Sequence, residues 1–147
     1  MKRAVALIVL ILSLVAHLAA QTPADTAKLR PFAGHFYCED TQTHIYLNLY
    51  EESISVPGFS FLGKMNGYMS GGIYGTWMLI SHKINGTKAT LRFSNDIGSD
   101  SQNIEFTQTS DSTFTYRAVG GNAIRRAVGR KLVKVTDTMS FKKLESY

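Results

Sequence analysis

The chain has 147 residues, of which 44% are hydrophobic, enough for one compact domain and too few for two. Charged residues make up only 18%, whereas glycine (12), phenylalanine (8) and tyrosine (7) are plentiful, which excludes a long coiled coil or a disordered polyelectrolyte and favours strands and turns. One cysteine excludes an internal disulfide, and four scattered histidines do not predict a metal site. We therefore predict neither a metal nor a cofactor.

The first twenty residues have the layout of a secretory signal peptide. Lys2 and Arg3 precede an apolar run at 4–16, and Ala20 precedes the polar Gln21. That run has 13 residues, whereas about 20 are needed to span the hydrocarbon core of a bilayer, so we favour cleavage over an uncleaved anchor. The sequence predicts a signal peptide at 1–20 and one β-barrel domain at 21–147, exported to the periplasm or outside the cell, with no stable membrane anchor.

The charge of residues 21–147 is only mildly basic. Residues 1–20 hold two of the 16 lysine and arginine residues and none of the 11 acidic residues. Proteins that bind nucleic acid concentrate a larger basic excess on one face, so we predict no nucleic-acid partner.

Two elements are predicted near the start of this domain. Thr22 and Pro23 are typical of a helix start, and Pro31 ends that short helix early. From 43 to 51 the side chains alternate, with Ile45, Leu47 and Leu49 on one face, which predicts a strand with one buried side.

The strongest hairpin signal lies between 73–83 and 87–94. Asn85-Gly86 separates these two β-like runs, and the pair is typical of a type I′ turn, in which both central residues need positive φ. The first run is apolar on both faces at 77–80, which indicates that something also covers its outer side.

The remaining segments continue the β pattern with one exception. Alternation predicts strands at 103–107, 114–118, 131–135 and 138–143. Between them, Ile124, Ala127 and Val128 have helical spacing, so we expect one or two helical turns within 122–129.

Short strands joined by tight turns predict an all-β fold, an up-and-down antiparallel meander barrel of 8–10 strands, because closure removes exposed sheet edges. The segment Phe32-Ala33-Gly34-His35-Phe36 resembles the first-strand signature of the lipocalin and fatty-acid-binding superfamily, in which an aromatic residue follows a glycine at the barrel base. Phe36 stands where that signature has tryptophan. The resemblance implies a lipocalin-like architecture and an interior pocket for an apolar ligand, and it assigns no site residue.

The predicted strands share a set of inward-facing side chains: Ile45, Leu47, Leu49, Trp77, Leu79, Leu91, Phe93, Ile104, Phe106, Phe114, Tyr116, Met139 and Phe141. This set predicts either a filled core or the lining of a pocket for a small apolar or amphipathic ligand. In the pocket interpretation Trp77 and Tyr116 offer hydrogen bonds to a ligand head group. The predicted ligand-binding residues are Trp77, Leu91, Phe93, Phe106, Tyr116 and Phe141.

The sequence gives weaker evidence for catalysis than for ligand binding. His35 and His44, with Glu39 and Asp40 between them, could form an acid–base cluster, but histidine alternating with apolar residues on a strand is usually on the solvated face. We therefore predict a binding protein with no catalytic residues.

Three further features leave alternatives open. The basic residues at 125–134 form either a solvated surface or an anion site. Cys38 is either a small buried apolar group or a thiol that pairs with another chain. The alternative function is a protein–protein interaction module. It would use an exposed apolar sheet face at 73–80, where the predicted strand is apolar on both of its faces.

The predicted signal peptide generates the first prediction. Because the apolar run is too short to serve as an anchor, N-terminal sequencing of the exported protein is expected to begin at or near Gln21. Exported protein that still begins at Met1 would contradict it.

Overall fold

The computed structural model describes residues 25, 28–97 and 99–147. The predicted signal peptide and most of the predicted N-terminal helix lie outside the described residues. The described residues are mainly β-strands and their connecting turns, with a short 3₁₀ turn at Ser60–Leu62 and helical conformation at residues 25, 28 and 29. The strands are β1 (Ala33–Cys38), β2 (Thr43–Asn48), β3 (Ile54–Ser55), β4 (Lys64–Met65), β5 (Gly67–Gly71), β6 (Trp77–Asn85), β7 (Lys88–Asn95), β8 (Ser101–Gln108), β9 (Thr113–Gly121), β10 (Arg125–Val128), β11 (Lys131–Lys134) and β12 (Thr138–Ser146).

Eight of these strands form a closed antiparallel barrel in the order β1-β12-β9-β8-β7-β6-β5-β2. The order follows the chain except where two small hairpins, β3-β4 and β10-β11, leave the barrel wall. The predicted all-β meander barrel is therefore confirmed, with eight strands in the wall. Since strands alternate in direction, β3-β4 leaves from one end of the barrel and β10-β11 from the other.

Six phenylalanine side chains are among the largest fully buried groups, and several of them meet in the barrel interior. The Phe106 ring lies 5.1 Å from the Phe114 ring and 5.2 Å from the Phe36 ring, centroid to centroid. Phe141 contributes a fourth ring at 5.8 Å from Phe106. These residues belong to four consecutive strands of the wall, β1, β12, β9 and β8, and the contact of Phe36 with Phe106 joins the outer two of these strands through the barrel interior. Their edge-to-face and stacked contacts are arrangements that aromatic pairs prefer. The inward set read from the alternation is buried as predicted: Ile45, Leu47, Leu49, Trp77, Leu79, Leu91, Phe93, Ile104, Phe106, Phe114, Tyr116, Met139 and Phe141.

Lys143 closes the end of the barrel from which β3-β4 leaves. Its Nζ donates hydrogen bonds to the carbonyl oxygens of Pro31, at 3.0 Å, and Arg30, at 3.4 Å, and it lies 5.6 Å from the centre of the Phe36 ring. Burial lowers the pKa of Lys143 to about 8, since the charged form loses water contacts. Position 34, beside Lys143, requires glycine, because a Cβ atom there would lie 2.1 Å from the Glu145 carbonyl oxygen.

The predicted hairpin at 85–86 is confirmed, but its turn is displaced by one residue. Asn85 pairs with Lys88, so Gly86 and Thr87 are the central residues. Only Gly86 of these has positive φ, at 60°, as in a type II′ turn rather than the predicted type I′ turn.

The predicted helical turn within 122–129 is wrong. Residues 125–128 form β10, which pairs with β11 across Gly129, whose φ is 61°. The helical spacing was misleading because Ile124 is buried while Ala127 and Val128 are exposed, so these three residues share no buried face.

No helix among the described residues is both long and apolar enough to cross a membrane. In the same part of the chain, no three histidine, cysteine, aspartate or glutamate side chains gather into a group that could hold a metal ion. Cys38 is buried and has a free thiol.

The turn generates the second prediction. Gly86→Val is expected to lower the free energy of unfolding by about 1 kcal/mol or more, because a β-branched residue resists positive φ. No atom lies within 4 Å of a Cβ at this position, so the effect comes from the backbone alone. Denaturant unfolding measures it, with Thr87→Val as the matched control. Equal stability of the two variants would contradict this prediction.

Candidate binding site

The six predicted ligand-binding residues all lie in the core. Trp77 is 2% exposed and Tyr116 1%, and Leu91, Phe93, Phe106 and Phe141 are fully buried. The two polar atoms expected to meet a ligand head group already have partners within the protein. Trp77 Nε1 donates to the Tyr74 carbonyl oxygen at 3.1 Å, and the Tyr116 hydroxyl donates to Gln102 Oε1.

The outer surface of the barrel carries a row of stacked rings that crosses three strands. The strand register places His35 of β1 opposite Tyr46 of β2, and Tyr46 opposite Tyr68 of β5. The His35 and Tyr46 rings stack at 4.3 Å and the Tyr46 and Tyr68 rings at 4.7 Å. We call these three residues the aromatic row. Cross-strand ring pairs of this kind stabilise a sheet, and here they also give its outer face a flat aromatic surface.

A cleft of about 460 Å³ opens beside this row. We call it the aromatic cleft, and its lining residues are Tyr46, Ser53, Ile54, Ser55, Tyr68 and Tyr147. No lining side chain is an acid or a base. The cleft therefore offers phenol rings, one aliphatic side chain and several hydroxyl groups to a ligand.

The β3-β4 hairpin forms one wall of the aromatic cleft. Ser53 precedes β3 and accepts a hydrogen bond from Asn48 Nδ2 of β2 at 2.8 Å. Ser55 accepts one from Lys64 Nζ of β4 at 2.7 Å. Because these bonds fix the hairpin to the barrel and to itself, the wall is held in place before any ligand arrives.

Burial keeps Tyr68 and Tyr147 of the aromatic cleft neutral near neutral pH. The pKa of Tyr68 is raised to about 12, chiefly by burial and then by Tyr46 and Tyr147. The pKa of Tyr147 is also raised, by burial first and then by Glu145 and Tyr46. Burial disfavours the phenolate because the charged oxygen loses water, so these hydroxyls can both donate and accept hydrogen bonds.

The side chains of His35 and His44 are in contact. These two histidines are members of the acid–base cluster considered from the sequence. His35 Nε2 and His44 Nδ1 are 2.8 Å apart, so one ring nitrogen donates and the other accepts. The pKa of His35 is lowered, first by burial and then by His44, while Glu145 raises it. Glu39 and Asp40, the other members of the suggested cluster, are exposed in the turn between β1 and β2.

A smaller cleft of about 240 Å³ lies at the opposite end of the barrel, under the β10-β11 hairpin. Trp77 and Arg125 both line it, together with Asn95, Ile97 and Leu132. Of the six predicted ligand-binding residues, only Trp77 borders this cleft. Of the cations in the predicted basic segment at 125–134, only Arg125 lines this smaller cleft, next to Leu132 of the same hairpin.

The sequence signal for the aromatic cleft lay in its tyrosines. Alternation in β2 places Tyr46 on the face opposite Ile45 and Leu47, which the sequence indicates to be the solvated face. A large aromatic ring on a solvated face indicates that this ring contacts another group there. Tyr68 and Ile54 gave no comparable signal, because their position beside Tyr46 depends on β2 pairing with β5.

Comparison with known proteins adds no relative. No family model, curated protein or solved structure matches the chain. The resemblance to the lipocalin superfamily therefore stays a prediction.

The histidine pair generates the third prediction. Because the pKa of folded His35 lies below its ordinary value of 6.5, the unfolded chain takes up the proton first, and stability falls as the pH falls below 6.5. His35→Gln is expected to flatten this fall as the pH is lowered through 6.5, measured by denaturant unfolding. His82→Gln is the matched control, and a control that flattens the profile as much as His35→Gln would contradict the prediction.

Proposed function

We propose that this protein is a non-enzymatic binding protein, working after export, that takes a small uncharged ligand in the aromatic cleft. The ligand has an apolar ring face and hydroxyl groups. The proposal moves the ligand from the barrel interior, where the sequence led us to expect it, to the outer surface.

The observation that carries this proposal is the contrast between the packed interior and the open cleft. The Phe106 ring contacts the rings of Phe36, Phe114 and Phe141 inside the barrel, so a ligand there would have to displace close-packed side chains. The aromatic cleft has about 460 Å³, within the roughly 300–1,000 Å³ common for small-molecule sites.

The chemistry of the lining supports the ligand class. An uncharged lining does not compensate an ionic ligand for its lost hydration. Neutral phenols and serine hydroxyls can instead exchange hydrogen bonds with ligand hydroxyls, and the rings and Ile54 can cover an apolar face.

Export and a lipocalin-like relationship are part of the same proposal. The basic start and short apolar run at 1–20 support export. Gly34 and Phe36 support the relationship, since both lie at the base of a closed eight-stranded barrel.

A protein partner is the second candidate, because β6 has exposed apolar side chains. Ile80 is 51% exposed at the bulge of β6, and Ile84, which pairs with the buried Ala89, is 36% exposed near the end of the strand. Exposed apolar side chains are a common feature of interaction surfaces.

The aromatic cleft generates the fourth prediction. Phenyl β-D-glucoside, cyclohexanol and phenol are suitable probes because each has a ring and a hydroxyl group. At least one is expected to bind saturably, with binding measured by saturation-transfer NMR. Tyr68→Phe removes one hydrogen bond and should weaken binding by roughly two- to tenfold, and Ile54→Asp should abolish it by placing a charge in the cleft.

The matched control is Tyr74→Phe, which removes the hydroxyl of an exposed tyrosine outside the aromatic cleft and should leave binding unchanged. Saturable binding by none of the three probes, or equal effects of Tyr68→Phe and Tyr74→Phe, would contradict the proposed site. Release of phenol from the glucoside would contradict the non-enzymatic assignment instead.

A further inference from the structure

The β10-β11 hairpin projects from the end of the barrel opposite the aromatic cleft. All eight residues of its two strands are exposed, whereas each of the eight wall strands contains buried residues. We call residues 125–134 the basic hairpin, because they include five cations and no acid: Arg125, Arg126, Arg130, Lys131 and Lys134.

The base of the basic hairpin is fixed to the barrel. Ile124 and Val135, immediately before and after it, are 2% and 5% exposed, and the Val135 amide donates to the Ile124 carbonyl oxygen at 2.8 Å. The Tyr74 amide donates to the Arg125 carbonyl oxygen at 2.7 Å. The base of the hairpin is therefore anchored to the barrel by backbone hydrogen bonds and buried side chains.

The strand register divides the side chains of the basic hairpin between two faces. Ala127 pairs with Leu132, and Leu132 and Arg125 line the smaller cleft, so this face is directed towards the barrel. Since directly paired residues share a face, the other residues of the two strands lie on the opposite face of the ribbon, which we call the outer face and whose four residues are exposed. That outer face carries the pairs Arg126 with Val133 and Val128 with Lys131.

The outer face combines exposed apolar side chains with cations. Val128 is 51% exposed and Val133 43%, and Arg126 and Lys131 stand directly across the ribbon from them. Arg130 extends the positive charge into the turn. The acids at this end of the barrel lie in other segments: Glu39, Asp40, Asp96, Asp100 and Asp137, of which Asp137 pairs with Lys134 at 2.7 Å.

We propose that the outer face of the basic hairpin docks on an anionic membrane surface. Val128 and Val133 enter the boundary between head groups and acyl chains, while Arg126, Arg130 and Lys131 bind lipid phosphates. Apolar burial and attraction to anionic lipid act together in peripheral membrane binding, and this face supplies both within a few residues. A polyanion without an apolar layer would leave the two valines exposed.

This inference does not rest on the proposed function. The aromatic cleft lies at the other end of the barrel, so docking through the basic hairpin would leave it open to its ligand. Each proposal can fail without the other.

Vesicle co-sedimentation tests the proposal. The protein is expected to bind phosphatidylcholine vesicles that contain about 30% phosphatidylglycerol and not vesicles of phosphatidylcholine alone, with affinity falling as salt rises. Arg126→Gln with Lys131→Gln, and separately Val128→Ser with Val133→Ser, should each reduce binding roughly tenfold or more. All of these residues are exposed, so the variants are expected to fold, and unchanged thermal unfolding checks this.

Two matched controls use the barrel wall. Ile80→Ser with Ile84→Ser removes comparably exposed apolar side chains, and Lys83→Gln with Arg92→Gln removes two exposed cations. Because every variant keeps the same residues 1–24, the comparison isolates the basic hairpin. The proposal is overturned if the controls lose as much binding as the hairpin variants, if the valine variant binds like the wild type, or if duplex DNA binds more tightly than anionic vesicles.

Discussion

The structure depends on the closure of eight strands around a small set of phenylalanine rings. Phe106 contacts Phe32, Phe36, Phe114 and Phe141, so one ring links segments from both ends of the sequence. Because protein interiors are close-packed, this filling brings β12 against β1 and also occupies the middle of the barrel. The same contacts that stabilise the fold therefore direct our functional proposals to its outer surface.

Both proposed surfaces arise where the chain leaves the barrel wall. The β3-β4 hairpin supplies one wall of the aromatic cleft, and the β10-β11 hairpin projects from the opposite end with basic and apolar side chains. Neither hairpin contributes its strands to the barrel. The side chains of each hairpin can therefore contact a ligand or a surface without changing the packing of the barrel wall.

Local patterns predicted most of the barrel. Alternation identified the inward residues from Ile45 to Phe141, because a strand with one buried face has a period of two, and Asn85-Gly86 located a hairpin. The β10 strand was missed because its exposed residues carry no burial pattern. The aromatic cleft was not predictable as a site, since Tyr46 meets Tyr68 only through the pairing of β2 with β5, a long-range contact with no local signal.

The central claim is that the barrel interior is a packed core and that recognition takes place outside it. Titration with a long-chain fatty acid and with an apolar dye, followed through the fluorescence of Trp77, tests this most directly. Trp77 is 2% exposed at one end of the core and would report an interior ligand. We predict no saturable change in its emission. Saturable binding, followed through the emission of the dye itself, that Trp77→Phe weakens without unfolding the protein would contradict the claim.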